Sequence, residues 1–135
     1  MTNRHGSYQT QELFRILKPD GLFITQQVGG RNNFMLNELL QEKPEFKYSF
    51  WTLDLAFKKL IEAGFQILEQ KDEYPETTVL DIGALVFHLK VISWQIDDFS
   101  VEKYYDKLAA IHNLIQEQGC LKIKSHRFLI VAQKP

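Results

Sequence analysis

The chain has 135 residues, a formal net charge of −1, and 44% hydrophobic against 24% charged residues. That balance excludes disorder, collagen and coiled coil as the main class, and it lacks the basic footprint of a nucleic-acid binder. One domain at most is expected, able to bury about two-thirds of its unfolded surface, and no apolar run approaches the ~20 residues that span a membrane. The single cysteine, Cys120, excludes an internal disulfide. It suits a reducing compartment, and Thr2-Asn3-Arg4-His5 carries no signal-peptide core, so a cytoplasmic location is expected.

In chain order, Leu13, Phe14 and Leu17 fall at helical spacing, with Ser7 or Thr10 as the N-cap. Lys18-Pro19-Asp20-Gly21 stops that helix and turns the chain. Leu22–Val28 follows, rich in strand formers; its continuous apolar first half predicts a strand buried on both faces. Gly29-Gly30 ends it. Asn33 is positioned to cap a short helix through about Leu40, and Thr52 to cap a clear one bearing Leu53, Ala56, Phe57, Leu60 and Ile61, with Gly64 as its C′ residue. Phe65–Asp72 reads as a strand. Val79–Trp94 predicts a helix that Gly83 weakens by about 1 kcal/mol. A further helix opens at Asp97-Asp98-Phe99-Ser100 and ends at Gly119. Leu121–Lys124 suits a strand end or an extended link, and Phe128–Ala132 a buried strand. The pattern is an α/β protein of helix–turn–strand units.

Three segments together carry a resemblance. Glu12-Leu13-Phe14-Arg15-Ile16-Leu17-Lys18-Pro19-Asp20-Gly21 is similar to the E-x-x-R-x-L-K-P-G-G segment that leads into the fifth strand of class I S-adenosylmethionine-dependent methyltransferases. Leu60-Ile61-Glu62-Ala63-Gly64-Phe65 resembles their L-x-x-A-G-F approach to the sixth strand, and His126–Lys134 resembles their last strand, which often ends in A-x-K. Asp20 stands where the family usually has its first glycine. The resemblance implies a partial Rossmann-like sheet, with strands matching the fifth, sixth and seventh, flanking helices, and a helical insert before the last strand. Residues 1–135 then form a single incomplete methyltransferase-like domain, and residues 76–119 are the insert, expected to fold over the substrate side.

The glycine-rich turn with which the family cradles its cofactor has no counterpart, because Gly29-Gly30 follows the strand matching the fifth, not the first. About three βα units, on the order of 100 residues at ~30 per unit, are missing. A truncation, a split gene product or a proteolytic remnant would each account for this. The implied activity is that of the C-terminal portion of a SAM-dependent methyltransferase with unknown acceptor, inactive as this chain alone. The alternative is a non-catalytic interaction or regulatory module descended from that fold, or an unrelated small α/β domain. S-adenosylmethionine is the cofactor the family implies; this chain alone is expected to bind it weakly or not at all.

Ligands of open α/β sheets sit beyond the carboxyl ends of the strands. In an intact enzyme, Asn3, Arg4 and His5 would follow the fourth strand and contact the cofactor; in this chain they read as an unstructured tail. Gln26, Gln27, Gly29, Arg31, Asn32 and Asn33 would line the substrate side, or form a solvated loop. His88 reads as a core or lid residue, His112 as exposed, and Trp51 and Trp94 as packing residues. Cys120 and His126 lack zinc-ligand spacing, so no metal is expected. No Ser/His/Asp set stands out and no catalytic residue is named; methyl transfer often needs only positioning of an electrophilic methyl beside a nucleophile. Near-neutral charge disfavours a large RNA acceptor. Without a fourth strand, Leu22–Val28 would be an open edge, and a homo-oligomer through that strand or through uncovered apolar faces is expected.

Overall fold

The computed structural model describes all 135 residues. The elements run β1 (Thr2–Arg4), α1 (Thr10–Ile16), β2 (Leu22–Val28), α2 (Phe34–Leu40), α3 (Leu53–Glu62), β3 (Gln66–Glu73), β4 (Glu76–Val79), α4 (Ile82–Val91), α5 (Tyr105–Gln118), β5 (Leu121–Lys124) and β6 (Arg127–Gln133). They group into two compact units. One comprises residues 1–32, 47–75 and 126–135, the other residues 33–46 and 76–125. The segment read as an insert thus shares its unit with α2 and with β5.

The first unit is a four-stranded sheet in the order β1-β2-β6-β3. β1 runs parallel to β2, and β6 runs antiparallel to both β2 and β3. The strands that resemble the fifth, sixth and seventh of the methyltransferase family are β2, β3 and β6. The N-terminal residues are not a loose tail. Thr2–Arg4 pair with Ile24–Gln26, the Met1 ammonium donates to the Leu22 carbonyl at 2.8 Å, and the His5 N–H to the Gln26 carbonyl at 2.8 Å. β2 is therefore not an open edge. The edge passes to a three-residue strand, which is short enough to resist pairing with another chain. β1 takes up the ladder of β2 over Ile24–Gln26.

The other departure concerns the faces of β2. Side chains alternate across a strand. Phe23, Thr25 and Gln27 are buried, whereas Leu22 and Gln26 are exposed and Ile24 and Val28 half-buried. The cause is that both helices of this unit pack on one face. Leu13 of α1 and Ala56 and Leu60 of α3 join Phe23, Phe65, Phe128, Ile130 and Ala132 in a single core. The opposite face keeps Ile24, Val28, Leu129 and Val131 only partly covered. Rings tighten the packed side: Tyr8 meets Phe23 edge-on at 5.0 Å, and Trp51 lies 5.7 Å from Phe128. Burial there pushes the Tyr8 phenol up to about 12.

Local chemistry sets the ends of the helices. Gln9, rather than Ser7 or Thr10, precedes α1. The Thr52 hydroxyl accepts from the Leu55 N–H at 3.3 Å, as expected of an N-cap. Asp20 adopts φ +63°, which explains why glycine is usual at that turn in the resembling family. The turn is closed by the Asp20 N–H on the Lys134 carbonyl at 2.8 Å, while Lys134 Nζ donates to the carbonyls of Phe14 and Leu17 at 2.6 and 2.8 Å. Lys134 thus satisfies carbonyls that the end of α1 leaves free. In β3 the ladder slips between Ile67 and Glu69, and the extra residue, Leu68, is 50% exposed.

The second unit packs α2, α4 and α5 with the antiparallel pair β4·β5 around Leu36, Leu40, Leu85, Leu89, Leu108, Ile111, Ile115, Leu121 and Ile123. Val79 belongs to β4, and the helix predicted over Val79–Trp94 starts only at Ile82, where the Asp81 carboxylate accepts from the Ala84 N–H at 2.8 Å. The helix expected from Asp97 starts at Tyr105. Before it, Asp98 takes the Tyr104 hydroxyl at 2.6 Å and the Lys103 ammonium, holding a turn. Gly119 ends that helix at φ +83°, as expected. Trp94 is 57% exposed, so only Trp51 meets the packing expectation. No helix is long and apolar enough to cross a membrane. Replacing Leu60, which is fully buried, with Ala should destabilise the chain by about 2–5 kcal/mol, read from the urea midpoint.

Candidate functional site at the carboxyl edge of the sheet

β1, β2 and β3 run in one direction, so their carboxyl ends meet the start of β6 along one edge of the sheet. His126 stands at its centre, 1% exposed. Its Nε2 lies 2.7 Å from Asp72 Oδ1, and its Nδ1 accepts the Arg31 N–H at 3.2 Å. Because Nδ1 accepts, the ring proton sits on Nε2 and is donated to the carboxylate. The His126 N–H donates to Asn32 Oδ1 at 2.9 Å, its carbonyl accepts the Gly29 N–H at 3.0 Å, and the Tyr74 ring stacks on it at 4.5 Å. Arg127 Nη1 donates to Asn32 Oδ1 at 2.7 Å and to the His126 carbonyl at 2.9 Å.

The two glycines after β2 serve close packing. A Cβ on Gly29 would lie 2.1 Å from His126 Nδ1, and one on Gly30 would lie 1.9 Å from the Tyr48 carbonyl oxygen. The space that a glycine-rich turn would offer a cofactor is here filled by the protein itself, so Gly29-Gly30 is not a cofactor cradle.

Of the residues singled out in the sequence, Gly29, Arg31 and Asn32 converge on His126. Gln27 is buried, its amide donating to Asn3 Oδ1 at 2.8 Å and to the Gly6 carbonyl at 3.0 Å, which ties down the loop after β1. Asn3 Oδ1 also accepts from Thr25 Oγ1 at 3.1 Å. Arg4, His5, Gln26 and Arg31 are exposed. Asn33 stands apart from this group. It belongs to the second unit, has φ +56°, makes no side-chain cap to α2, and passes its N–H to the Lys124 carbonyl at 3.1 Å. Asp72, Tyr74 and Arg127 were missed, and His126 was weighed only as a metal ligand. The one local signal was a polar His126-Arg127 pair heading an apolar strand. Cys120 is half-buried and His112 exposed. His88 is half-buried, and burial lowers its pKa.

No protein-family profile matches the sequence, and no curated protein sequence matches it. Solved structures do. A candidate methyltransferase from Bacillus halodurans C-125 superposes with a TM-score of 0.56 at 16% identity, covering 99% of this chain and 63% of its own length. A candidate sarcosine dimethylglycine methyltransferase from Galdieria sulphuraria gives 0.43 at 16% identity, over 98% of this chain and 51% of its own. The Haemonchus contortus phosphoethanolamine N-methyltransferase 2, solved with phosphomonomethylethanolamine and S-adenosylhomocysteine, gives 0.41 at 14% identity, over 99% of this chain and 33% of its own. The chain thus has the fold of part of a methyltransferase and spans less than two-thirds of these proteins' lengths. Gly29→Ala should displace the His126 ring and destabilise the chain by about 1–3 kcal/mol, seen as a lower melting temperature and a shifted Arg31 amide resonance.

Proposed function

We propose that this chain is the acceptor-side portion of a SAM-dependent methyltransferase. The observation that carries the reading is the antiparallel β6 lying between β2 and β3 in a sheet otherwise of parallel strands, on a backbone that superposes over 99% of its length on the Bacillus protein. Its contribution is positional. Gln26, Gln27, Gly29, Arg31 and Asn32 lie at or just beyond the end of β2, where an acceptor of a doubly wound sheet would sit. His126 and Asp72 hold that edge rigid, and a rigid edge is what methyl transfer by positioning requires. Asn3, Arg4 and His5 would lie beside both the cofactor's methionine end and the acceptor where a cofactor-binding half is present.

The residues here build no cradle for S-adenosylmethionine, so that half must be supplied from elsewhere. Isothermal titration of the folded chain with S-adenosylmethionine should give no micromolar binding, whereas a gene product extending this chain through a glycine-rich turn should bind it and transfer a labelled methyl group. Micromolar binding by the 135-residue chain would refute the division of labour, and an extended product that folds without binding the cofactor would refute the family reading.

A further inference from the structure

We propose that the carboxyl edge of the sheet binds a small oxyanion through Arg127, Arg4 and His5; the group is a carboxylate or phosphate, and assigning it to the methyl acceptor rests on the function proposed above. Strand register carries the argument. Arg4 pairs with Gln26, and Arg127 pairs with Val28. Paired residues share a face, as do positions two apart on a strand, so both guanidiniums flank the end of β2 on the same side. His5 follows directly, held at φ +56° in a region that β-carbon residues seldom occupy.

The positive charge there is uncompensated within the unit. Arg127 is half-buried, and its Nη1 donates to neutral oxygens of Asn32 and His126, which fix a guanidinium without neutralising it. Five N–H donors leave it capacity for a ligand. The adjacent acids are committed elsewhere. Glu73, the β3 partner of Arg127, pairs with Lys71 at 2.7 Å, and Asp72, the partner of Phe128, lies on the opposite face against His126. The three groups sense one another as like charges: besides burial, Arg127 and Arg4 both lower the His5 pKa, and Arg4 lowers that of Arg127. Gathering like charges costs free energy that a bound anion returns. A planar guanidinium fork held by its neighbours matches a carboxylate or phosphate in two-point contact. Two guanidinium cations with a neutral imidazole beside them, on a chain of net charge −1, suit one small anionic group, not a polyanion.

The test is a proton–nitrogen NMR titration of the 135-residue chain at about pH 8, where phosphate is a dianion. Inorganic phosphate and acetate are added separately, with sodium chloride holding ionic strength constant. Saturable shifts are expected at the amides of Arg4, His5 and Arg127. The stronger of the two anions then says whether the group is phosphoryl or carboxylate. Arg4→Gln and Arg127→Lys should each weaken binding about tenfold, the worth of one charge-assisted hydrogen bond. Lys58→Gln, on exposed α3 surface, should leave it unchanged. Arg4 is exposed, so its variant folds even if that of Arg127 does not. Shifts that stay linear in both anions, or that saturate with unchanged affinity in Arg4→Gln, would overturn the site. Neither titration involves a cofactor or methyl transfer, so this proposal and the methyltransferase reading fail independently.

Discussion

One imidazole ties the carboxyl edge of the sheet together. His126 spends both ring nitrogens, its N–H and its carbonyl on five different groups, and a tyrosine ring covers it. A buried polar side chain is tolerable only when its hydrogen bonds are made, and here the partners come from the loop after β2, the end of β3 and the head of β6. Those segments are far apart in sequence. The ring is the point at which they are brought into register. With Nδ1 accepting a backbone proton and Nε2 donating to Asp72, it is a strut and has no free nitrogen to act as a base.

The sequence read best where a rule is local. β2 is found at the predicted residues because strand formers are bracketed by Asp-Gly and Gly-Gly, and Thr52 and Gly119 sit where capping chemistry places them. Reading failed where pairing is long-range. Thr2–Arg4 is too short to show alternation and becomes a strand only because β2 offers a ladder 22 residues away. Glu76–Thr78 is polar and exposed, and Glu76–Val79 is a strand through pairing with β5. The expectation that β2 is buried on both faces assumed helices on both; α1 and α3 share one. The role of His126 was invisible because its partners Asp72 and Arg31 lie 54 and 95 positions away.

The same distribution explains how the edge is built. Its basic groups come from β1 and β6, its hydrogen-bonding frame from the loop after β2, and its committed acids from β3. No short segment contains it, and the apolar face supplies only the platform. Specific chemistry sits at strand ends, where side chains need not satisfy a core, while the interior of each strand is occupied with packing.

The place of β6 also governs how the chain can assemble. It is the last strand in sequence, yet it lies between β2 and β3 and supplies Phe128, Ile130 and Ala132 to the core. A ribosome therefore delivers β2 and β3 with nothing between them, and at about 5–20 residues per second they wait for a few seconds before their common partner emerges. During that interval two strands have open ladders and an unfilled apolar face. Folding of the first unit is thus closed by its final residues, and a nascent chain stalled before Arg127 would be a substrate for chaperones, not a folded intermediate.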